Sequence, residues 1–167
     1  STLCVVSIYA ERFKALRVVV AAPKIMVQPW IDELLHWDLP IASHTIKATE
    51  DTRRVLATWK RIGGILVIGH DQFRISAADL DICTDTVMIV DEGHFLKSPN
   101  TQLYQAVDSV LTKRRILLTG TPLQNHLDEY YWMVQLLAPN LLGASLSDFK
   151  RQFGNSIING MLKDLSL

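Results

Sequence analysis

Four short apolar runs constrain this chain more than any other feature: Val18-Val19-Val20-Ala21-Ala22, Ile65-Leu66-Val67-Ile68, Val87-Met88-Ile89-Val90 and Ile116-Leu117-Leu118. A strand with one wet face alternates apolar and polar residues, so a run without alternation is buried on both faces. Helix-like segments separate the runs. Trp30, Ile31, Leu34, Leu35 and Trp37 recur at helical spacing after Pro23, and Val55 to Ile62 reads as a helix closed by Gly63-Gly64. Leu103, Ala106, Val107, Val110 and Leu111 form the best helical stripe, with Ser98 as expected N-cap and Pro99 at the first helical position. A further strand is expected within Ile41 to Ile46. Strands alternating with helices predict βαβ units, a mainly parallel sheet and a three-layer α/β fold.

No strand signal follows Leu118. Leu127, Tyr130, Tyr131, Val134, Leu137 and Ala138 make a helical stripe stopped by Pro139-Asn140, and a shorter helix carries Phe149 and Phe153 with Ser147 as its cap. The expected division is an α/β lobe over 1–125 and a helical extension over 126–167, whose aromatics are core.

Composition narrows the partners. Lys+Arg and Asp+Glu number 17 each, so no strongly basic nucleic-acid binder is announced. DNA, if bound, must be held by local clusters such as Arg53, Arg54, Lys60 and Arg61, or Lys113, Arg114 and Arg115, which read equally as solvated surface. Cys4 and Cys83 are too few and too distant for a disulfide framework or a zinc site, which fits a reducing compartment. No stretch reaches the roughly 18 apolar residues of a membrane span, and no membrane partner is expected. The chain starts at Ser1 without an initiator Met, so a piece of a longer protein is expected.

Ligands of open parallel sheets gather at the carboxyl ends of the strands. Asp91-Glu92-Gly93-His94 leaves one such end directly. Adjacent carboxylates emerging from a buried strand repel unless a cation or a polar network receives them. A phosphoryl-transfer site uses that arrangement, one carboxylate holding Mg²⁺ and the other deprotonating the attacking water; a helix N-terminus would suit the same acids. Leu118-Thr119-Gly120-Thr121-Pro122-Leu123-Gln124-Asn125 leaves another strand, and by itself reads as an ordinary loop with Asn125 as cap.

The two segments together resemble motifs II and III of the superfamily-two, helicase-like motors of SWI/SNF type. Ala21-Ala22-Pro23 through Gln28-Pro29-Trp30, with Glu33 and Trp37, is similar to that family's motif Ia and its helix. Ile68-Gly69-His70-Asp71-Gln72-Phe73-Arg74 and Phe95-Leu96-Lys97-Ser98 also follow its pattern. The Asp-Glu-Gly-His box and the Asn140-Leu141-Leu142-Gly143 to Phe149 stretch look closest to the ATRX-like branch, although that branch carries a longer insertion where this chain has only His70 to Thr86.

The resemblance implies a first RecA-like (P-loop NTPase-type) lobe of a DNA-dependent ATPase and translocase that remodels chromatin in the nucleus, with ATP and Mg²⁺ as cofactors. Its implied partners are double-stranded DNA or nucleosomes and a second motor lobe. It implies Asp91 as Mg²⁺ ligand and Glu92 as catalytic base, with His94, Thr119, Thr121 and Gln124 coupling nucleotide state to DNA, and Gly120 at the nucleotide. Pro23, Lys24 and Arg74 fall where the family's first lobe meets the DNA backbone.

The pattern breaks at its start. A motor of this kind needs a Gly-rich phosphate cradle ending in Gly-Lys-Ser/Thr, and no Gly precedes Gly63. Thr2 to Ser7 resembles the helix after the cradle, with Thr2 (or Ser1, one residue earlier) as the Mg²⁺-binding hydroxyl. The lobe is therefore expected to be incomplete at its N-terminus. An arginine finger from a second lobe contributes about 10³ to 10⁵ in rate in related enzymes, so the isolated chain is expected to be inactive and the parent protein active. Rival readings are an RNA helicase of the Asp-Glu-Ala-His class, a restriction-type DNA translocase, and a non-catalytic interaction module that keeps the fold.

Overall fold

The computed structural model describes residues 17–46, 51–80, 84–120 and 127–153. Five strands, β1 (Arg17–Ala22), β2 (Ser43–Thr45), β3 (Gly64–Gly69), β4 (Val87–Val90) and β5 (Arg115–Leu117), form one sheet in the order β2-β3-β1-β4-β5. Every neighbouring pair is parallel. The helices are α1 (Val27–His36), α2 (Thr52–Ile62), α3 (His70–Ser76), α4 (Gln102–Ser109), α5 (Leu127–Leu137) and α6, over residues 146–153.

Burial on both faces is what the uninterrupted strands require, and alternate side chains serve two separate cores. Val19, Ala21, Leu66, Ile68, Met88 and Val90 point to one face. There Trp59 of α2, Phe73 of α3, Val107 of α4, and Met133 and Leu136 of α5 cover them. Val18, Val20, Ile65, Val67, Val87 and Ile89 point to the other, where Leu34, Trp30 and Ile31 of α1 pack. The three-layer α/β arrangement is thus present, with β1 at its centre.

Four local expectations are corrected. The best helical stripe starts later than expected: Thr101 is the N-cap, its side chain accepting from the Tyr104 amide, while Ser98 Oγ only accepts from Asn100 N at 3.3 Å. That helix ends at Ser109, so Leu111 leaves the stripe and is 67% exposed. In α5 the buried residues are Tyr131, Met133 and Leu136, and Leu137 is exposed. The cap of α6 is Ser145, whose Oγ accepts from Asp148 N at 3.1 Å, and Ser147 lies inside the helix.

The Gly63-Gly64 stop is a steric requirement. Both have positive φ, 76° and 102°. A Cβ on Gly64 would lie 2.2 Å from the Ala42 carbonyl oxygen, which itself accepts from Ile65 N at 2.8 Å. A left-handed backbone and a clash against another backbone atom add, so Gly64→Ala is expected to destabilise the protein by about 3 kcal/mol. Urea unfolding measures this; a loss under about 1 kcal/mol would mean that the Ala42 segment moves away freely.

Candidate active site and adjoining cleft

Parallel register brings the strand ends level: Ala22 pairs with Gly69, Ala21 with Val90, and Val90 with Leu117. The residues that follow therefore stand side by side along one edge of the sheet. From β1 the chain winds first to β2 and β3 on one side, then to β4 and β5 on the other. Such a change of winding direction opens a crevice at the carboxyl edge.

Asp91 is held there by hydrogen bonds on three sides. Its Oδ2 accepts from Trp30 Nε1 at 2.8 Å, its Oδ1 from Glu92 N at 2.9 Å, and its own amide donates to Ala21 O at 2.8 Å. The His70 Nε2 atom lies 3.1 Å from the Asp91 carbonyl oxygen, which fixes that nitrogen as the protonated one. Burial pushes the His70 pKa below the usual histidine value, with the hydrogen bond to Asp91 opposing the shift. Among the described residues, every donor to the Asp91 carboxylate is neutral and Asp91 enters no ion pair. These donors orient the carboxylate without neutralising it. A hard carboxylate oxygen of this kind suits Mg²⁺, which keeps most of its waters and takes one or two carboxylates from the protein.

Glu92 adopts φ 52° and ψ 53°, left-handed for a residue with a side chain, at a cost of about 1–2 kcal/mol. The turn is held because Gly93 N donates to Leu118 O at 2.7 Å, and Leu118 N donates to Val90 O at 2.9 Å. A Cβ on Gly93 would press within 3.4 Å of both Leu117 Cβ and Leu118 O. Val90 and Gly93, which flank the acidic pair, are therefore both bonded to Leu118 at the start of the threonine-bearing turn, with Thr119 and Gly120 next along that turn. Gly120 is exposed, with open space where a side chain would project. His94 Nδ1 lies 3.1 Å from Glu92 Oε2 but off the direction of a hydrogen bond, so this buried nitrogen has no partner that satisfies it.

On the β3 side of the acids lies an open cleft of about 580 Å³, lined by Pro23, Lys24, His70, Asp71, Arg74, Phe95 and the first turn of α4. In it Pro23 and Lys24 meet Arg74, which is distant from them in the sequence. Arg74 hydrogen-bonds the Gln102 side chain and stands 3.9 Å from the carboxylate of Asp71.

Thr2, Thr121 and Gln124 lie outside the described residues, as does the boundary expected at 125/126. Trp30 and His70 as supports of Asp91 were missed by reasoning from the sequence. Their motif segments were visible, but nothing in the spacing reveals that they converge on one aspartate. One basic cluster is corrected: Arg115 is not solvated surface but has a side chain only 3% exposed, bonded to backbone carbonyls.

Comparison with known proteins places this arrangement. Residues 2–166 match the family described as the SNF2-related domain. The chain belongs to the SNF2-related domain family. Among curated relatives, it is 35% identical over 173 positions to the "Transcriptional regulator ATRX homolog" of Drosophila melanogaster, covering 89% of this chain and 13% of that protein. It is 38% identical over 156 positions to the "DNA repair and recombination protein RAD54-like" of Drosophila ananassae, covering 89% of this chain and 20% of that one. The ATRX-like likeness is thus found, beside a comparable one to RAD54-like proteins. The match to the ATRX homolog runs over more positions than this chain has residues, so that SNF2-related relative carries inserted residues along the match. Among solved structures, the Sulfolobus solfataricus SWI2/SNF2 ATPase core in complex with dsDNA superposes with a TM-score of 0.77 at 24% identity, over 95% of this chain and 32% of that one. The SNF2-related fold, a RecA-like lobe with a mainly parallel sheet, is therefore established, and the chain spans a small fraction of the length of the relatives it matches.

Proposed function

We propose that this SNF2-related chain is part of the first lobe of a DNA-dependent ATPase, a translocase that remodels chromatin. One observation carries the reading: an acidic pair leaves a buried strand with Asp91 held, among the described residues, by neutral donors, beside a cleft that gathers Lys24 and Arg74. When bound, the magnesium nucleotide supplies the phosphoryl group. Asp91 would hold the magnesium ion, and the Glu92 carboxylate would accept the proton of the attacking water. By the family resemblance Thr2, Thr119, Gly120 and Thr121 would serve the nucleotide, and His94 and Gln124 would couple it to DNA. Pro23, Lys24 and Arg74 meet the phosphate backbone of double-stranded DNA, which positions a protein without reading sequence.

In this reading turnover also requires a phosphate cradle and a second lobe, so it is expected of a full-length protein that has both and not of the isolated chain. The names of the relatives, a transcriptional regulator and a recombination protein, support a nuclear location and a nucleosomal substrate. Phosphate release by the full-length protein, with ATP and Mg²⁺ and with or without double-stranded DNA, tests the reading. DNA should accelerate hydrolysis. A full-length protein that binds DNA yet never hydrolyses ATP is an interaction module instead, and the motor reading is then wrong.

A further inference from the structure

Phe95 occupies a position that the proposed chemistry leaves unused. Its ring is 48% exposed and lines the cleft with Lys24 and Arg74. Inward, it lies against two imidazoles. The His94 ring is 4.4 Å away between centroids at an interplanar angle of 32°, and the His70 ring meets it edge-on at 5.6 Å and 75°. Each imidazole touches one of the acids, His94 at Glu92 Oε2 and His70 at the Asp91 carbonyl. A single aromatic ring in the cleft therefore contacts both routes to the acidic pair.

We propose that Phe95 is the positioning residue through which a DNA strand in the cleft sets the geometry of Glu92. The inference rests on the motor reading above. An exposed aromatic ring on the rim of a basic cleft is a surface for the apolar face of a deoxyribose or a base, whose phosphates Lys24 and Arg74 attract. Covering that ring restricts it, and the restriction passes to the stacked His94. Among the described residues no hydrogen bond fixes the buried Nδ1 of His94, which already lies 3.1 Å from Glu92 Oε2. An unsatisfied buried nitrogen is costly, so a small rotation that brings Nδ1 into line with Glu92 Oε2 is favoured once Phe95 is pressed inward. Glu92, on its left-handed backbone, then presents its other oxygen to the attacking water. DNA binding accelerates hydrolysis by this route without any change in charge.

The test uses the full-length protein, with ATP hydrolysis followed against double-stranded DNA concentration for Phe95→Ala, Phe95→Tyr and Lys24→Ala. For Phe95→Ala the plateau rate at saturating DNA should fall by about tenfold or more, while half-saturation moves by less than about threefold. Phe95→Tyr, which keeps the ring, should retain the plateau within about twofold, and Lys24→Ala should raise the half-saturating DNA concentration with the plateau kept. Should Phe95→Ala fail to fold, Phe95→Leu retains apolar volume without the stacking ring and should show the same loss of plateau. A normal plateau in the alanine or leucine variant overturns the relay, as does a shift in half-saturation alone, which would make Phe95 a simple DNA contact. Wild-type protein that DNA does not accelerate would sink the motor reading and the relay together, whereas acceleration retained by the variants sinks only the relay.

Discussion

Glu92→Gln in the full-length protein is expected to lower the DNA-stimulated rate of ATP hydrolysis by about 10²–10⁴-fold, the usual contribution of a general base. The amide keeps the shape of the side chain and its place beside His94, but it cannot accept a proton from water. Asp91, with its bonds to Trp30 and the Glu92 amide, stays in place, so affinities for nucleotide and for DNA should change little. A loss in kcat with KM held is the signature of an interaction made only in the transition state. Stability should also hold, because the Glu92 side chain is 38% exposed and its backbone conformation is set by the Gly93–Leu118 bond. Single-turnover hydrolysis separates the chemical step from product release. Retention of full turnover by the glutamine variant would remove Glu92 from the proposed mechanism and move the catalytic base elsewhere.

Arg115→Ala is expected to cost about 3–5 kcal/mol of stability, the range for removing one member of a buried charged network. The guanidinium is almost fully buried at the start of β5 and serves three places at once. Its Nε donates to Thr112 O at 3.0 Å, Nη1 to Leu136 O at 2.9 Å, and Nη2 to Val110 O at 2.8 Å. The Asp108 carboxylate is 4.0 Å from Nη1. Burial pushes the pKa of Arg115 below the usual arginine value, and Asp108 opposes the shift. Two of these acceptors, Val110 at the C-cap of α4 and Leu136 in the last turn of α5, lie where helix dipoles concentrate negative charge. Truncation leaves buried carbonyls without donors and unpins α5 from the sheet. Amide hydrogen exchange in the full-length protein should show α5 and β5 losing protection together. Arg115→Met, which keeps the buried stem, should recover only part of the loss, and if it recovers everything, the carbonyl bonds contribute nothing net.

The motifs were readable from residues alone because their chemistry demands them locally. A strand sealed on both faces has to be continuously apolar, so β1, β3 and β4 were placed to within a residue, and acids directly after such a strand can only emerge at its carboxyl end. Helix caps were not readable to that precision. Ser98 and Thr101, or Ser145 and Ser147, offer similar local acceptors, and which one caps depends on where the helix must start to pack. The phase of α5 failed in part for a related reason: apolar residues occur on more than one of its faces, so Tyr131 is buried as expected while Met133 and Leu136 are buried in place of Val134 and Leu137.

What the sequence by itself determined is the family, the three-layer parallel fold and the identity of the acidic pair, since each follows from short-range pattern. Only the tertiary structure decided that Trp30 and His70 support Asp91, that Arg115 is a buried clasp, and that Phe95 joins the cleft to both imidazoles. Those are meetings between residues far apart along the chain. No periodicity encodes them, because which strand ends become neighbours is settled by the order of strands in the sheet.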